Sequence, residues 1–201
     1  MSGCVTIKDL TLKYGKKTVL DSFSIMFPVN EFSAVMGSSG IGKTSLLRLI
    51  AGLVPSKNFT GTVNTGNAKI AYLFQEPRLF PWLTVAENIT VVNEESNASL
   101  HSEALTKKAL ELLALFGLAD VANEYPAALS GGMAQRVALA RTIAYNGDIV
   151  LLDEPFSCLD EWTKADVMQK VRDALSGKTV IIVTHDREEA EFFAKNNIFT
   201  V

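Results

Sequence analysis

The chain has 201 residues, 48% of them hydrophobic and 20% charged, which is enough to bury a substantial core. Its 19 basic and 22 acidic residues give a net charge of −3, so the composition indicates no strongly basic surface for nucleic acid. We find no apolar run of the roughly 18 residues that a membrane span requires, and no signal-peptide pattern. The two cysteines, Cys4 and Cys158, are too few for a disulfide framework. We expect a soluble, cytosolic protein.

The N-terminal stretch predicts a small antiparallel β region. Residues 4–12 alternate in the manner of a strand, and residues 18–27 form a second strand after a glycine-containing turn. Tyr14 stands at that turn, next to Gly15. Its ring could stack on an adenine, although an ordinary exposed turn tyrosine is the commoner case.

The next segment has the spacing Gly-x-x-x-x-Gly-Lys-Thr between a predicted strand, Phe32–Met36, and a predicted apolar helix, 45–51. Such a loop turns its backbone N–H groups inward, and the helix N-terminus adds partial positive charge, so the two form a nest for phosphates. Lys43 would reach the β- and γ-phosphates, and the Thr44 hydroxyl would bind Mg²⁺. The predicted nucleoside-triphosphate site comprises Gly37, Ser38, Ser39, Gly40, Ile41, Gly42, Lys43, Thr44 and Ser45.

Strands and helices alternate from here on, which predicts a mostly parallel sheet with helices on both faces. Further strands are predicted at 61–63, 70–74, 149–152, 179–183 and 198–201, and helices at 85–88, 101–116, 133–145, 161–175 and 187–195. Thr84 and Ser102 are the predicted N-caps of two of these helices. The helix at 101–116 is amphipathic and lies between the two halves of the core, so we assign it to an inserted helical lobe.

Polar side chains follow three of the predicted strands: Gln75, then the pair Asp153 and Glu154, then His185. Ligands of parallel α/β sheets bind at the carboxyl ends of the strands, so we expect these residues to share an edge with the glycine-rich loop. Asp153 can hold Mg²⁺, and Glu154 can act as a general base on water. Two buried carboxylates are costly without a metal or hydrogen-bond donors, which disfavours a purely structural role.

A second glycine pair, Gly131 and Gly132, follows Ser130 at the start of the helix at 133–145. Serine and glycines at a helix N-terminus can bind an anion, but this motif alone is weak because Ser-Gly-Gly is common in loops.

Together and in this order, the motifs resemble the ATPase subunits of ABC transporters over essentially the whole chain. The resemblance implies an α/β P-loop NTPase fold with a mostly parallel core sheet, a small antiparallel β region at the N-terminus and an inserted α-helical lobe. It implies one domain, 1–201, in which 1–75 and 146–201 form the β region and core, and about 76–145 form the lobe.

The resemblance also implies a role for each motif. Tyr14 matches the aromatic residue that stacks on adenine, and residues 157–160 resemble the D-loop. The catalytic group would comprise Glu154, His185, Gln75 and Lys43. Mg²⁺ would be bound by Thr44, Gln75 and Asp153. A partner protomer's ATP would be contacted in trans by Ser130, Gly131, Gly132 and Asp160.

Position 133 departs from the family pattern, since Met133 stands where the signature usually has glutamine. We expect Ser130 and the two glycine amides to keep the contact to ATP. The stretch 73–88 is similar to bacterial importers of the nitrate/sulfonate/taurine class. The resemblance thus implies a dimeric ATPase that uses ATP and Mg²⁺, sits on the inner face of the cell membrane, and works with permease subunits and indirectly with a substrate-binding protein, without nucleic acid.

Three other functions are alternatives to a transporter ATPase. A soluble ABC ATPase acting on nucleic acid or ribosomes usually carries tandem ATPase domains or long basic inserts. A nucleotide-gated module without turnover is disfavoured by Glu154 and His185, and a P-loop small-molecule kinase would not need residues 129–132. Trp82, which follows Gln75, has two interpretations of equal weight: core packing, or an interface with a membrane subunit.

Overall fold

A computed structural model describes residues 4–92 and 103–201, which divide into two compact units. The first unit comprises Met1–Tyr72, Gly147–Glu154 and Ser176–Val201, and the second comprises Leu73–Asn146 and Pro155–Leu175. In chain order the elements are β1 Val5–Tyr14, β2 Lys17–Phe27, β3 Phe32–Met36, α1 Lys43–Ile50, β4 Phe59–Asn64, β5 Ile70–Leu73, α2 Val85–Thr90, α3 Glu103–Leu115, α4 Gly131–Ala144, β6 Ile149–Asp153, α5 Glu161–Ala174, β7 Thr179–Val183, α6 Arg187–Ala194 and β8 Ile198–Thr200.

The first unit contains a three-stranded antiparallel sheet in the order β2-β1-β4. β1 has alternating buried side chains, which is the pattern of a sheet with one face on the core and one face in water. The predicted pair of N-terminal strands is therefore present, and the short strand predicted at 61–63 joins it as the longer β4.

A five-stranded sheet has the order β5-β6-β7-β3-β8. Its central strands β6 and β7 are buried along their whole length, as expected for parallel strands covered on both faces. β3 pairs with β7 and β7 with β6, all parallel, so that Val35, Val183 and Asp153 lie in register. The carboxyl ends of three strands consequently meet at one edge, where the glycine-rich loop begins.

One apolar cluster fills the first unit between the two sheets and α1. It is built from fully buried side chains of β1, of the parallel strands and of one face of α1, including Leu10, Leu46, Leu151 and Ile181. This packing fixes α1 directly behind the loop that precedes it, because the helix buries four apolar residues in two turns.

In the second unit, α2 packs against α3 and α4, and α4 packs against α5. Thr84 is the N-cap of α2, as predicted, and forms a capping box with Glu87. The Thr84 side chain accepts a hydrogen bond from the N–H of Glu87, and the Glu87 carboxylate accepts one from the N–H of Thr84. The apolar face predicted for α3 is buried at Leu105, Ala109 and Leu113. Residues 101 and 102, which include the predicted cap Ser102 and the unassigned His101, lie outside the described residues.

Segment 155–175 contacts the helical unit, although the sequence grouped it with the core. The buried Gln135 amide of α4 donates a hydrogen bond of 3.0 Å to the carbonyl of Pro155. That bond and the contact of α5 with α4 tie the segment to the helical elements, despite its position between two core strands.

Candidate nucleotide site

The glycine-rich loop leads into α1 through Gly42, which adopts a φ of 124°. A Cβ at this position would lie 2.7 Å from Cγ1 of Val19, so both the backbone conformation and the space require glycine. Gly42 is the N-cap of α1, and no side chain caps this helix. The N–H groups of its first turn are thus left for another acceptor, which is the property of an anion-binding helix N-terminus.

Lys43 places its ammonium group inside this loop. Its Nζ donates hydrogen bonds to the carbonyl oxygens of Gly37, at 2.7 Å, and Ser38, at 3.0 Å. The residue is only 7% exposed. Since this nearly buried cation hydrogen-bonds to neutral carbonyls, an anion entering the loop would be strongly attracted to it.

Thr44, on the first turn of α1, contacts the end of β6. Its hydroxyl donates a 2.9 Å hydrogen bond to Oδ1 of Asp153. The carboxylate is 1% exposed, and burial raises the pKa of Asp153, opposed by hydrogen bonds from Thr44 and Tyr72 and by the charges of Arg48 and Lys43. Two residues that the sequence predicts as Mg²⁺ ligands are therefore in direct contact.

Tyr72 is a member of this cluster that the sequence did not reveal. Its phenol donates a 3.2 Å hydrogen bond to Oδ2 of Asp153. Burial, followed by the negative charge of Asp153, raises the pKa of Tyr72 above its ordinary value. The alternating burial along β5 places Tyr72 on one face of that strand. Only the order of the strands in the sheet shows that β5 lies beside β6, and the sequence does not specify this order.

Glu154 and His185 form a second contact at the same edge. Glu154 Oε2 lies 2.8 Å from Nδ1 of His185, and the two side chains are 13% and 70% exposed. An ionised carboxylate only accepts hydrogen bonds, so His185 carries its proton on Nδ1 when Glu154 is charged. Glu154 has a φ of 49°, and its N–H donates to the carbonyl of Val183, which fixes it at the end of the sheet.

The second unit carries the other predicted phosphate contacts. The Ser130 hydroxyl caps α4 by accepting a 3.3 Å hydrogen bond from the N–H of Met133. A Cβ on Gly132 would lie 3.2 Å from the carbonyl oxygen of Cys158, so this helix N-terminus closely approaches residues 157–160. Asp160 caps α5, and hydrogen bonds from Thr163 lower the pKa of its carboxyl group.

Three other predicted residues have more exposed positions. Tyr14 ends β1 and is 41% exposed, and Gln75, in the second unit, is exposed just after β5. Trp82 is 69% exposed, so the interpretation of it as a core residue is wrong.

Segment 77–84, which carries Trp82, is held by side chains that the sequence did not single out. Asn88 is fully buried, and its amide nitrogen donates to the carbonyls of Phe80, Leu83 and Thr84 at 3.0 to 3.2 Å. Arg141, on α4, donates to the carbonyls of Pro77 and Arg78 at 2.8 and 3.0 Å. The exposed aromatic surface of this segment is thus fixed from beneath.

The oxygen atoms around Asp153 fit Mg²⁺ better than a softer metal. A threonine hydroxyl and a carboxylate are hard ligands, and Mg²⁺ bound to a nucleotide typically takes only one or two protein oxygens. Within residues 4–92 and 103–201, no three histidine, cysteine, aspartate or glutamate side chains form a metal cage. In the same ranges no helix is both long and apolar enough to cross a bilayer.

Comparison with known proteins identifies the family. Residues 20–157 match the family model described as ABC transporter. The chain belongs to the ABC transporter family. This confirms the resemblance inferred from the motifs.

Two similar proteins are named "Aliphatic sulfonates import ATP-binding protein SsuB". One, from Yersinia pestis bv. Antiqua, is 41% identical and the alignment covers 92% of this chain and 68% of the relative. Another, the SsuB 1 protein of Paracoccus denitrificans, is 37% identical over 96% of this chain and 78% of the relative.

The fold also matches solved ATP-binding cassettes. A dimeric, post-hydrolysis structure of the cassette MJ0796 bound to ADP and Pi superimposes with a TM-score of 0.83 at 32% identity, covering 97% of this chain and 96% of the other. A second dimeric MJ0796 structure gives a TM-score of 0.84 at 33% identity. The predicted fold class, a P-loop NTPase with a parallel core sheet and a small antiparallel sheet, is confirmed.

Proposed function

We propose that this chain is the ATP-hydrolysing subunit of an ABC importer and works as a dimer on permease subunits of the membrane. The observation that carries the proposal is the convergence, within one unit, of a P-loop lysine, a Thr44–Asp153 pair and a Glu154–His185 pair. A nucleotide-gated module without turnover would need the loop but not the glutamate–histidine pair.

In this proposal, ATP binds with its phosphates in the loop at residues 37–45. Lys43 turns from the carbonyls of Gly37 and Ser38 to the β- and γ-phosphates, and the ring of Tyr14 stacks on the adenine. Thr44 and Asp153 would hold Mg²⁺, which would neutralise charge on the β- and γ-phosphates, and the contribution of Gln75 stays a prediction from the sequence.

Glu154 is proposed to orient and deprotonate the attacking water. The water oxygen bonds to the γ-phosphorus, the bond from that phosphorus to the β–γ bridging oxygen breaks, and the water proton passes to Glu154. The Nδ1–H of His185 holds the Glu154 carboxylate in place, and its exposed ring can also reach the γ-phosphate.

The remaining contacts to the γ-phosphate would come from a second protomer. Ser130, the amides of Gly131 and Gly132, and Asp160 are exposed or half-exposed in the second unit, and Gly132 closely approaches Cys158 and Leu159. The dimeric state of the MJ0796 cassettes supports this arrangement. Two such sites imply a two-fold symmetric pair, with a homodimer as the simplest case.

The membrane partners are inferred from surface chemistry and from the names of the relatives. Trp82 and the half-exposed Phe80 form an aromatic patch on segment 77–84, which we propose contacts the permease. The names of the SsuB proteins support import, with aliphatic sulfonates as the candidate class of solute. A separate substrate-binding protein would select the solute, and this subunit would be peripheral on the cytoplasmic face.

Replacement of Glu154 by glutamine tests the proposed chemistry. Glu154→Gln keeps the shape and a hydrogen-bond acceptor but removes the base, so phosphate release should fall by about 100-fold or more while ATP remains bound. The variant should also accumulate as an ATP-dependent dimer, measured by gel filtration with light scattering.

The matched control is Glu191→Gln, which removes an exposed carboxylate paired with Arg187 on α6. It should hydrolyse ATP like the wild type. Wild-type turnover in Glu154→Gln would contradict the assignment of Glu154 as the base.

A further inference from the structure

The two oxygens of the Asp153 carboxylate are held by different elements. Oδ1 accepts from the Thr44 hydroxyl at 2.9 Å, and Oδ2 accepts from the Tyr72 phenol at 3.2 Å. Thr44 belongs to α1 and Tyr72 to β5, so a helix and a neighbouring strand fix the carboxylate from two sides.

Tyr72 is itself restrained. β5 lies beside β6 in the sheet, and its side chain at position 72 points across to the end of that strand. The positive charge of Arg48, one turn after Thr44 on α1, also acts on this phenol and lowers its pKa, against the larger effect of burial. The phenol is thus placed beside Asp153 by its strand, in the field of a cation on α1.

A carboxylate without such partners is free to rotate. The terminal torsion of an aspartate is broad and roughly two-fold, so the side chain alone does not decide which oxygen faces the ligand. A donor on each oxygen removes this freedom. Since Asp153 is 1% exposed, water contributes little to holding either oxygen.

We propose that Tyr72 is a positioning residue for metal binding, which holds Oδ2 so that Oδ1 of Asp153 stays beside the Thr44 hydroxyl and faces the metal of the bound nucleotide. The proposal rests on the assignment of the site under "Proposed function". It adds a residue that acts through Asp153 and does not itself touch nucleotide or metal.

The test is Tyr72→Phe, which keeps the ring and its packing and removes only the hydroxyl. Binding of Mn²⁺, used as a paramagnetic substitute for Mg²⁺, is measured by electron paramagnetic resonance with a non-hydrolysable ATP analogue present. A hydrogen bond to a charged group predicts Mn²⁺ binding about 10-fold weaker in the variant. Affinity for the analogue without divalent cation should stay within about two-fold, because the hydroxyl that is removed donates to Asp153.

A merely structural role for Tyr72 would weaken both affinities together, through a less stable fold. Thermal unfolding without metal or nucleotide checks this point, and Tyr125→Phe, at a tyrosine that is 52% exposed, is the matched control. Unchanged Mn²⁺ binding in Tyr72→Phe, or parallel losses of both affinities, would overturn the proposal.

Asp153→Asn separates this proposal from the assignment of the metal site itself. If Asp153 binds the metal, the asparagine variant should lose Mn²⁺ binding almost entirely, whatever the behaviour of Tyr72→Phe. Full Mn²⁺ binding in Asp153→Asn would refute the metal site and the positioning role with it. Loss of binding in Asp153→Asn beside unchanged binding in Tyr72→Phe would refute the positioning role alone.

Discussion

The N-termini of α1 and α4 are both proposed to bind phosphate, yet they are built in different ways. α1 begins at Gly42 without a side-chain cap, whereas α4 begins at Ser130, whose hydroxyl caps its own helix. The buried ammonium of Lys43 lies inside the loop before α1, whereas the first turn of α4 contains Gly131, Gly132 and Met133.

The difference shows how each site would obtain its binding energy. The α1 site keeps its N–H groups and a cation for the ligand, so it can bind phosphate from within one chain. At α4 the Ser130 oxygen already accepts a bond from Met133, which leaves its O–H proton and the exposed amides to donate to an anion. Such a site would bind phosphate weakly by itself, and would add contacts to a nucleotide that another protomer already holds.

Removal of the Lys43 ammonium tests the stronger site most severely. Lys43→Ala should reduce ATP turnover by about 100-fold or more, since a charged donor to the transferred phosphate is lost. ATP affinity and phosphate release are measured side by side. Lys170→Ala, which breaks a surface pair with Asp166, is the control and should behave like the wild type. An unchanged rate and Michaelis constant in Lys43→Ala would show that the loop before α1 is not the stronger phosphate site.

Gly42 tests whether the uncapped start of α1 depends on glycine. Gly42→Ala places a side chain at a φ of 124° and against Val19, so we expect a loss of about 1–2 kcal/mol in unfolding free energy and weaker ATP binding. The double variant Val19→Ala/Gly42→Ala relieves the contact but not the backbone strain, and should recover part of the stability. Denaturant unfolding that does not distinguish Gly42→Ala from the wild type would contradict this explanation.

The structural features that could be predicted are those that depend on short sequence patterns. β3 and β7 occur at their predicted positions, and Thr84 caps its helix as predicted, because hydrophobic runs and capping residues act locally. The position of Asp153 at the edge where the glycine-rich loop begins was also predictable, since parallel strands bring their carboxyl ends to one edge.

Contacts between side chains far apart in sequence were not predictable. Tyr72 meets Asp153 across 81 positions, and Arg141 meets the carbonyl of Pro77 across 64, and neither pairing follows a local period. The attachment of segment 155–175 to the helical unit likewise depends on one buried amide, that of Gln135, and on helix packing. These features follow from tertiary packing, which a single sequence does not specify.

Ser130 gives the smallest expected effect and separates its two roles. Ser130→Ala removes the cap and should cost about 1 kcal/mol of unfolding free energy. Ser130→Asp keeps a good N-cap, so its stability should stay near that of the wild type, but its charge repels a phosphate.

If Ser130 serves a partner's ATP, the aspartate variant should lose ATP-dependent dimerisation despite its intact fold, while each protomer still binds ATP at its own P-loop. Dimerisation is followed by light scattering in the Glu154→Gln background, with Ser130→Asn as the uncharged capping control. Normal dimerisation of Ser130→Asp would show that the hydroxyl serves only to cap α4, and the contrast between the two helix N-termini would then be one of stability alone.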